Sequence, residues 1–568
     1  MTCKLVFALF MSVFMAQGAV CFSTAADYYV DANSGDDGND GTQGTPWRTI
    51  TRALDWIASN NPGTEGNPHT IHAAAGTYAA STNNERFPLN MQSWVSLVGD
   101  DVDTTILNAE STYHVAYCFN VSDLSIEQLT ITGGDARGPG SRDGSGGGIC
   151  CDGSSLAIIG NTITGNSAED SGGGVFCYNS SPMIQSNTIT GNSAGPYGGG
   201  IFCEESSPTI ENNLITENAA ANFGGAIFCT DSSPTISNNA IEGNSAGIGG
   251  GGISCWNNSS PIASDNTIEG NSGGKGGGVH CDDSSPTVAN NVIEGNTTGG
   301  SGWGGGIYCI YGSMTVKNNL IVDNSASSFD GGGICCMNSS ITIQNNTIVG
   351  NTAANFGRGD GIFCDGSSET ITDCIIWDNG DDLWGCSATY CCIEDDDSGE
   401  GNIHEDPDFV TGPLGDYYLD TDSPCIDAGS RSAADAGLSD RTTQVDGTLD
   451  SGTVDMGYHH ERESPGPELS DPTYSPESGR TDTDFTFTVH YYHPRGQAPS
   501  RIQVFVNGKP HDMKLDSGSA ADGVYAWTGL IPEGGLAQYH FEAEDSYGAS
   551  AICLEQGRLE SPPYTVRR

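Results

Sequence analysis

The stretch GGGIFCEESSPTIENNLITEN, Gly198–Asn218, decides the fold. Three short apolar runs, IFC, PTI and LIT, alternate in it with Gly, Ser, Pro and Asn, the residues of tight turns. No run is long enough for a helix, and strand alternation puts Ile201 and Cys203 on one face and Phe202 on the other. The stretch is one copy of a repeat. With its cysteine as origin, the same residue recurs at Cys151, Cys177, Cys203, Cys229, Cys255, Cys281, Cys309, Cys336 and Cys364, spaced first by 26 residues and then by 28, 27 and 28. Two positions before each stands Ile or Val, from Ile149 to Ile362, and seven after each stands Ile or Val, from Ile158 through Ile262 to Ile371. Asparagines recur ten and fifteen positions after the cysteine, as Asn213 and Asn218 do here, and one coil, with Asn266 and Asn271, is shifted by a single residue.

One coil cannot bury its own apolar face, whereas stacked coils share a core and pair their strands in parallel ladders. The repeat predicts an all-β chain built as a parallel β-helix, with three-strand coils of about 26 residues. Inward Ile and Cys form stacks, and the recurring Asn hydrogen-bond along a ladder of their own at a bend. Ladder neighbours about 4.8 Å apart fall within the Cα range of a disulfide, roughly 4.4–6.8 Å, but in-register side chains point in parallel. The cysteines are therefore expected to be reduced and buried as small apolar filler. In the adjacent pairs Cys150–Cys151, Cys335–Cys336 and Cys391–Cys392 one member faces outward and is expected to be the more open to oxidation.

At 568 residues the chain exceeds one ordinary domain, and 80 glycines with only 16% charged residues suit a solenoid of tight turns. Residues 1–26 read as a secretory signal peptide: Lys4 precedes an apolar run too short to span a bilayer, with cleavage after Gly18 or Ala26. No later segment reads as a transmembrane span, so a secreted, extracellular or surface-held protein is expected. A net charge of −52 excludes nucleic acid and anionic membrane as partners, since both need basic patches. It is compatible with calcium. An N-terminal segment with the first coils, 27–145, leads into the repeats, 146–393, and a post-helix cap, 394–463, that ends in VDMGYHHE. Residues 464–568 alternate in short runs such as TDFTFTVHYY and RIQVFVNG, the pattern of a β-sandwich of immunoglobulin or fibronectin type.

The segment YYVDANSGDDGNDGTQGTPWRTITRAL, Tyr28–Leu54, with the later GTY and VSLVGD, resembles the start of secreted bacterial right-handed parallel β-helix proteins of the pectate-lyase-like superfamily. NNxIxxN with GGGI is similar to their coils, and DPDFVTGPLGDYYLDTDSPCIDAG with VDMGYHHE looks like the segment that follows their last coil. The resemblance covers 28–460 and implies a right-handed helix of three sheets. In the enzymes of that superfamily a polysaccharide cleft lies on the outer face of the first strand. It leaves the chemistry open, because fold does not imply function.

On that outer face Phe176, Tyr178, Phe202, Phe228, Trp256, Tyr308 and Phe363 recur coil by coil and are candidates to stack on sugar rings. The same rings also suit packing against one another or beneath loops. A hydrolase needs two carboxylates, about 5–5.5 Å apart for retention or 6.5–9.5 Å for inversion; Glu205 and Asp231 occupy equivalent places in adjacent coils and Asp231 and Asp283 in coils two apart, where they also suit a solvated turn. A lyase of pectate type implies Ca²⁺ and a basic residue, and Lys275 with His280, Asp282 and Asp283 is the best such patch, although the superfamily's acid-plus-Arg signature is absent. The loop DANSGDDGNDG sets Asp31, Asn33, Asp36, Asp37, Asn39 and Asp40 among glycines, as candidate Ca²⁺ ligands or as a hydrated loop. No organic cofactor is expected. The expected function is binding, or binding with cleavage, of an extracellular polysaccharide or cell-surface glycan by a monomer. Its rival is a non-catalytic adhesin or structural scaffold that presents the C-terminal sandwich.

Overall fold

A computed structural model describes residues 26–137, 144–300, 302–354, 358–461, 468–475, 484–492, 498–506, 509–530, 536–544, 550–553 and 564–567. The chain divides into two compact units, Met1–Glu461 and Arg462–Arg568. The expected leader lies outside the described residues, apart from its last residue. Ala26 opens the strand Ala26–Val30, which pairs in parallel with His69–Ala73.

The first unit is a parallel β-solenoid of about 11 turns. Three long parallel sheets, of 12, 14 and 13 strands, run its length. In the coil first quoted their strands are Ile201–Glu204, Thr209–Glu211 and Leu214–Thr216. A fourth strand of two residues, Ala219–Ala220, joins a further sheet of nine, so each regular coil has a short fourth side that the apolar pattern did not announce. This side explains the glycine run. A Cβ on Gly199 would lie 2.5 Å from the Ala219 backbone, and one on Gly200 would lie 2.7 Å from the Ala226 carbonyl. Gly198 adopts φ +64°, the left-handed turn into the next strand.

The core follows the ladders. Ile201, Cys203, Ile210 and Ile215 are buried and align with Ile227, Cys229, Ile236 and Ile241 one coil on. Ile262 departs from this expectation. The extra residue at Asn257–Asn258, both at positive φ, advances the chain by one, so Ala263 pairs with Ile236 inside and Ile262 is 50% exposed. A one-residue slip in a strand moves a side chain to the opposite face.

Two asparagine ladders line successive corners. Asn213 Oδ1 accepts the backbone N–H of Asn187 at 2.9 Å and its Nδ2 at 3.0 Å, and Asn213 Nδ2 donates to the Ile184 carbonyl at 2.8 Å. Asn218 repeats the arrangement with Asn192 and Ile189. A serine ladder at the SSP turn works in the same way, with Ser180 N–H donating to Ser206 Oγ at 3.0 Å and Ser206 N–H to Ser232 Oγ at 3.0 Å. Turn backbone that would otherwise be orphaned is paired coil after coil.

Ladder cysteines such as Cys177, Cys203, Cys229 and Cys255 are buried free thiols, and burial pushes Cys255 up to about 12. The outward members of the adjacent pairs are also closed. Cys150 and Cys335 lie at 0% exposure within apolar clusters on the outside of the sheet, which corrects the expectation that they are open to oxidation. At the N-terminal end a helix, Ile50–Asn60, buries Ile50, Ala53, Leu54 and Ile57 in the solenoid core. In the second unit two antiparallel sheets, of four and five strands, share a core that includes Phe485, Phe487, Tyr491, Val504 and Phe541.

Candidate functional site

The outer face of the 12-stranded sheet carries one side chain per coil in register, through Phe176, Phe202, Phe228, Ser254, His280, Tyr308, Cys335 and Phe363. Parallel pairing forces the rings to stack. Phe176 and Phe202 lie 5.2 Å apart at 4°, and Phe202 and Phe228 lie 5.6 Å apart at 10°. They are not open platforms, being only 3%, 4% and 2% exposed. A second tier of rings covers them. Tyr197 lies 4.9 Å from Phe228, and Phe223 lies 4.4 Å from Trp256. Tyr197 and Phe223 come from the segment just before the glycine run, and they bridge in parallel from coil to coil. An aromatic preceding the glycines recurs at Tyr197, Phe223, Trp303 and Phe329, a signal present in the sequence and missed there.

Between the two tiers lies a groove of about 350 Å³. Phe176, Phe202, Phe228, Tyr197 and Trp256 form its apolar walls, and Asp170, Glu204 and Asn257 supply polar groups. Tyr197 and Trp256 are half-buried. The indole N–H of Trp256 has no hydrogen-bond partner. Tyr178 packs against the same cluster. Tyr308 and Phe363 belong to a second apolar patch with Cys335, where Arg358 lies 5.7 Å from the Phe363 ring centre and 5.3 Å from that of Trp384.

The structure brings Lys275, His280 and Asp282 together near Tyr308. Lys275 Nζ lies 5.4 Å from the Tyr308 ring centre, and His280 stacks on that ring at 5.6 Å. His280 is buried and bonds Ser254 Oγ through Nδ1 at 3.1 Å. Burial first, and then the Lys275 charge, push its pKa down to about 3, so it is neutral at ordinary pH. Burial raises Asp282, with Asp283 adding to the rise and Lys275 opposing it. Asp283, Glu205 and Asp231 stand apart from this group. They occupy the left-handed corner after the cysteine strand, at φ 46°, 50° and 48°, and are exposed. Asn179 and Asn338 hold the same corner in other coils, and Asp and Asn tolerate that conformation better than most residues.

In the N-terminal loop each candidate ligand is engaged locally. Asp31 accepts from Asn33 and Ser34 N–H, Asp36 from Gly38 N–H, and Asp37 from Arg48 and Thr49 N–H ahead of the helix. Asp40 accepts from Thr42 and Thr45, which hold its carboxyl below the usual range. Asn33 and Asn39 donate to the carbonyls of Ala75 and Pro46. Among the described residues, the side chains that converge closely enough to share a metal ion are Asp450, Asp455 and His459, in the cap.

Residues 33–224 match a family described as a protein of unknown function, DUF1565, and residues 221–352 and 251–403 match one described as right handed beta helix region. No curated protein matches the chain. Solved structures to which the chain is similar include the GH136 lacto-N-biosidase from Eubacterium ramulus, at 10% identity and TM-score 0.35 over 61% of this chain and 67% of that one. The A-module of the Azotobacter vinelandii mannuronan C-5 epimerase AlgE4 matches at 15% identity and TM-score 0.32, over 60% of this chain and 95% of its own. PfbA, a surface adhesin of Streptococcus pneumoniae, matches at 12% identity and TM-score 0.30, over 69% and 98%. At these scores no activity carries over to the present chain.

Proposed function

We propose that the chain is an extracellular polysaccharide-binding solenoid whose contact surface is the groove between Tyr197, Trp256 and the stacked phenylalanines. One observation carries this reading: half-buried rings from two segments wall an open groove whose polar lining is the carboxylates of Asp170 and Glu204, the Asn257 amide and the hydroxyls of Ser145, Ser171 and Thr230. Apolar ring faces beside a few polar groups are what a sugar, apolar on its faces and polar at its edges, requires. The net charge of −52 disfavours polyuronates unless Ca²⁺ bridges them, so neutral glycans fit better. Extracellular placement rests on the leader in the sequence. No helix among the described residues is long and apolar enough to cross a membrane.

Turnover has weaker support than binding. His280 is sealed beneath rings, and Asp231 occupies a left-handed corner that suits Asp and Asn without chemistry, with the exposed Glu205 in the same corner one coil before. A scaffold role is the second reading, favoured by the near-complete burial of Phe176, Phe202 and Phe228, which already serve one another as packing partners. Affinity electrophoresis of the full chain through neutral and acidic polysaccharides, with and without Ca²⁺, separates the readings. Retardation by at least one neutral glycan, with no release of reducing ends or unsaturated uronates, is expected. Unretarded migration through every gel would leave the scaffold reading, and release of products would restore an enzyme.

A further inference from the structure

The segment VDMGYHHE, Val454–Glu461, contributes to a buried cluster that glycan binding does not use. Asp450, Asp455 and His459 each offer a ligand atom, all within 4.8 Å of one another, and they are 2%, 2% and 0% exposed. His459 Nδ1 lies 3.0 Å from the Gly457 carbonyl, and Nε2 lies 2.8 Å from Asp450 Oδ2. Both ring nitrogens therefore face acceptors, whereas a neutral imidazole carries one N–H. Asp450 Oδ2 also accepts the Asp455 N–H at 3.0 Å, but Asp450 Oδ1 is buried with no partner. Asp455 accepts from Asp427 N–H at 2.8 Å and Thr443 Oγ1 at 2.5 Å.

Without a cation Asp450 Oδ1 stays unpartnered whatever the protonation of the cluster. Two ionised carboxylates with a neutral imidazole leave two negative charges out of water, and an imidazolium still leaves one, with the Asp450 oxygen unpaired in either case. The cap's arginines are engaged elsewhere. Arg431 approaches Asp373 at 3.5 Å and bonds Asn345, while Arg441 bonds Asp265 and Glu461. If Nδ1–H donates to the Gly457 carbonyl, the lone pair is on Nε2 and faces the carboxylates. This is the orientation that a backbone carbonyl imposes on a metal-bound histidine.

We propose that Asp450, Asp455 and His459 bind one divalent transition-metal ion of the zinc or manganese type. Its two positive charges match the two carboxylates, and the unpaired Asp450 Oδ1 gains a partner. An imidazole ligand selects such ions over calcium and magnesium, which prefer oxygen. The ion pins the cap where it grips the solenoid. Next to the site, His459 N–H donates to Asn318 Oδ1 at 2.7 Å, Asn318 Nδ2 donates to the His459 carbonyl at 3.0 Å, and Asn345 Nδ2 donates to the Asp455 carbonyl at 3.3 Å.

The test uses the full chain, stripped with chelator and titrated calorimetrically with Zn²⁺, Mn²⁺ and Co²⁺, with thermal midpoints recorded alongside. Uptake of a single ion, a higher midpoint that EDTA reverses, and a cobalt spectrum without thiolate charge-transfer absorption are expected. Asp450→Asn and His459→Gln lose that ion. Should His459→Gln fail to fold, Asp450→Asn and the cobalt spectrum of the unaltered chain still decide. A midpoint and heat signal indifferent to all three ions overturn the site. So does an ion retained by Asp450→Asn, or one with a thiolate band, which would place it on the cysteines.

Discussion

Asn213 and Asn239, one coil apart, are joined by a hydrogen bond of 2.9 Å from Nδ2 to Oδ1, and the same Oδ1 takes the Asn213 backbone N–H at 2.9 Å. Each asparagine thus serves two coils at a buried corner. Asn213→Ala removes the acceptor of the Asn187 N–H and a donor to the Ile184 carbonyl. With about 1–3 kcal/mol for each of these two buried groups left unpaired, it should lower stability by roughly 2–6 kcal/mol. Asn213→Asp should cost more, because it sets an acceptor against the carbonyls of Ile184 and Glu211 and against Asn239 Oδ1. Urea denaturation followed by far-ultraviolet circular dichroism checks both. An aspartate variant as stable as the alanine one would contradict the donor assignment.

The buried His280 gives stability a pH dependence of definite sign. Its folded pKa of about 3 lies below its ordinary value of 6.5, so between these limits the unfolded chain binds the extra proton and stability rises with pH. The contribution is fully present above about 6.5 and is lost as pH falls towards 3, up to roughly 4–5 kcal/mol in all. His280→Phe continues the stack on Tyr308 without a titrating group. The stability difference between the original chain and this variant should therefore grow in the original's favour from pH 3 to 6.5 and level off above. A difference that stays flat across that window would mean that His280 does not titrate as a buried group.

What the sequence disclosed depended on whether side-chain identity was tied to the repeat. Ile201, Cys203, Asn213 and Asn218 could be placed because each recurs at a fixed offset and the parallel ladder aligns equal offsets. Ala219–Ala220 was missed because a two-residue strand carries no apolar alternation. The Ile262 slip left a trace in the displaced Asn266, yet only pairing shows that Ala263 takes the inward place. Ile50, Ala53, Leu54 and Ile57 carry helical spacing that was legible but passed over. The groove required Tyr197 and Phe223 to fold over another strand's rings, and the cap cluster joins Asp450 to a motif outside the repeat. Such tertiary meetings have no period to read.

The cysteine ladder should be chemically silent in the folded chain. Burial excludes reagent from every ladder thiol, whichever way the hydrogen bonds from neighbouring thiols push it: up in Cys229, down to about 5 in Cys203. Among the described cysteines Cys386 alone is half-buried and the others are buried. A chromogenic disulfide reagent near neutral pH should modify Cys386 ahead of Cys203, Cys229 and Cys255, which wait for urea. Peptide mapping after a brief exposure identifies the modified residues, and early labelling of Cys229 would show that the coils open locally.

Trp256 and Phe228 separate binding from folding within one groove, with ring centres 6.1 Å apart. Phe228 is 2% exposed and stacked on Phe202, so Phe228→Ala opens a cavity and should cost about 3–5 kcal/mol of stability. Trp256 is half-buried at the groove wall, so Trp256→Ala should cost less stability and more affinity. A loss of about tenfold in glycan binding, near 1.4 kcal/mol, is expected for an aromatic anchor. Thermal midpoints and calorimetric titrations with a retarding glycan measure the two effects together. If Trp256→Ala binds as the original chain does, ligand contact lies elsewhere and the two tiers of rings are an external core. If Trp256→Ala keeps its midpoint and loses the glycan, the groove wall that Trp256 forms with Tyr197 is a contact surface and not only packing.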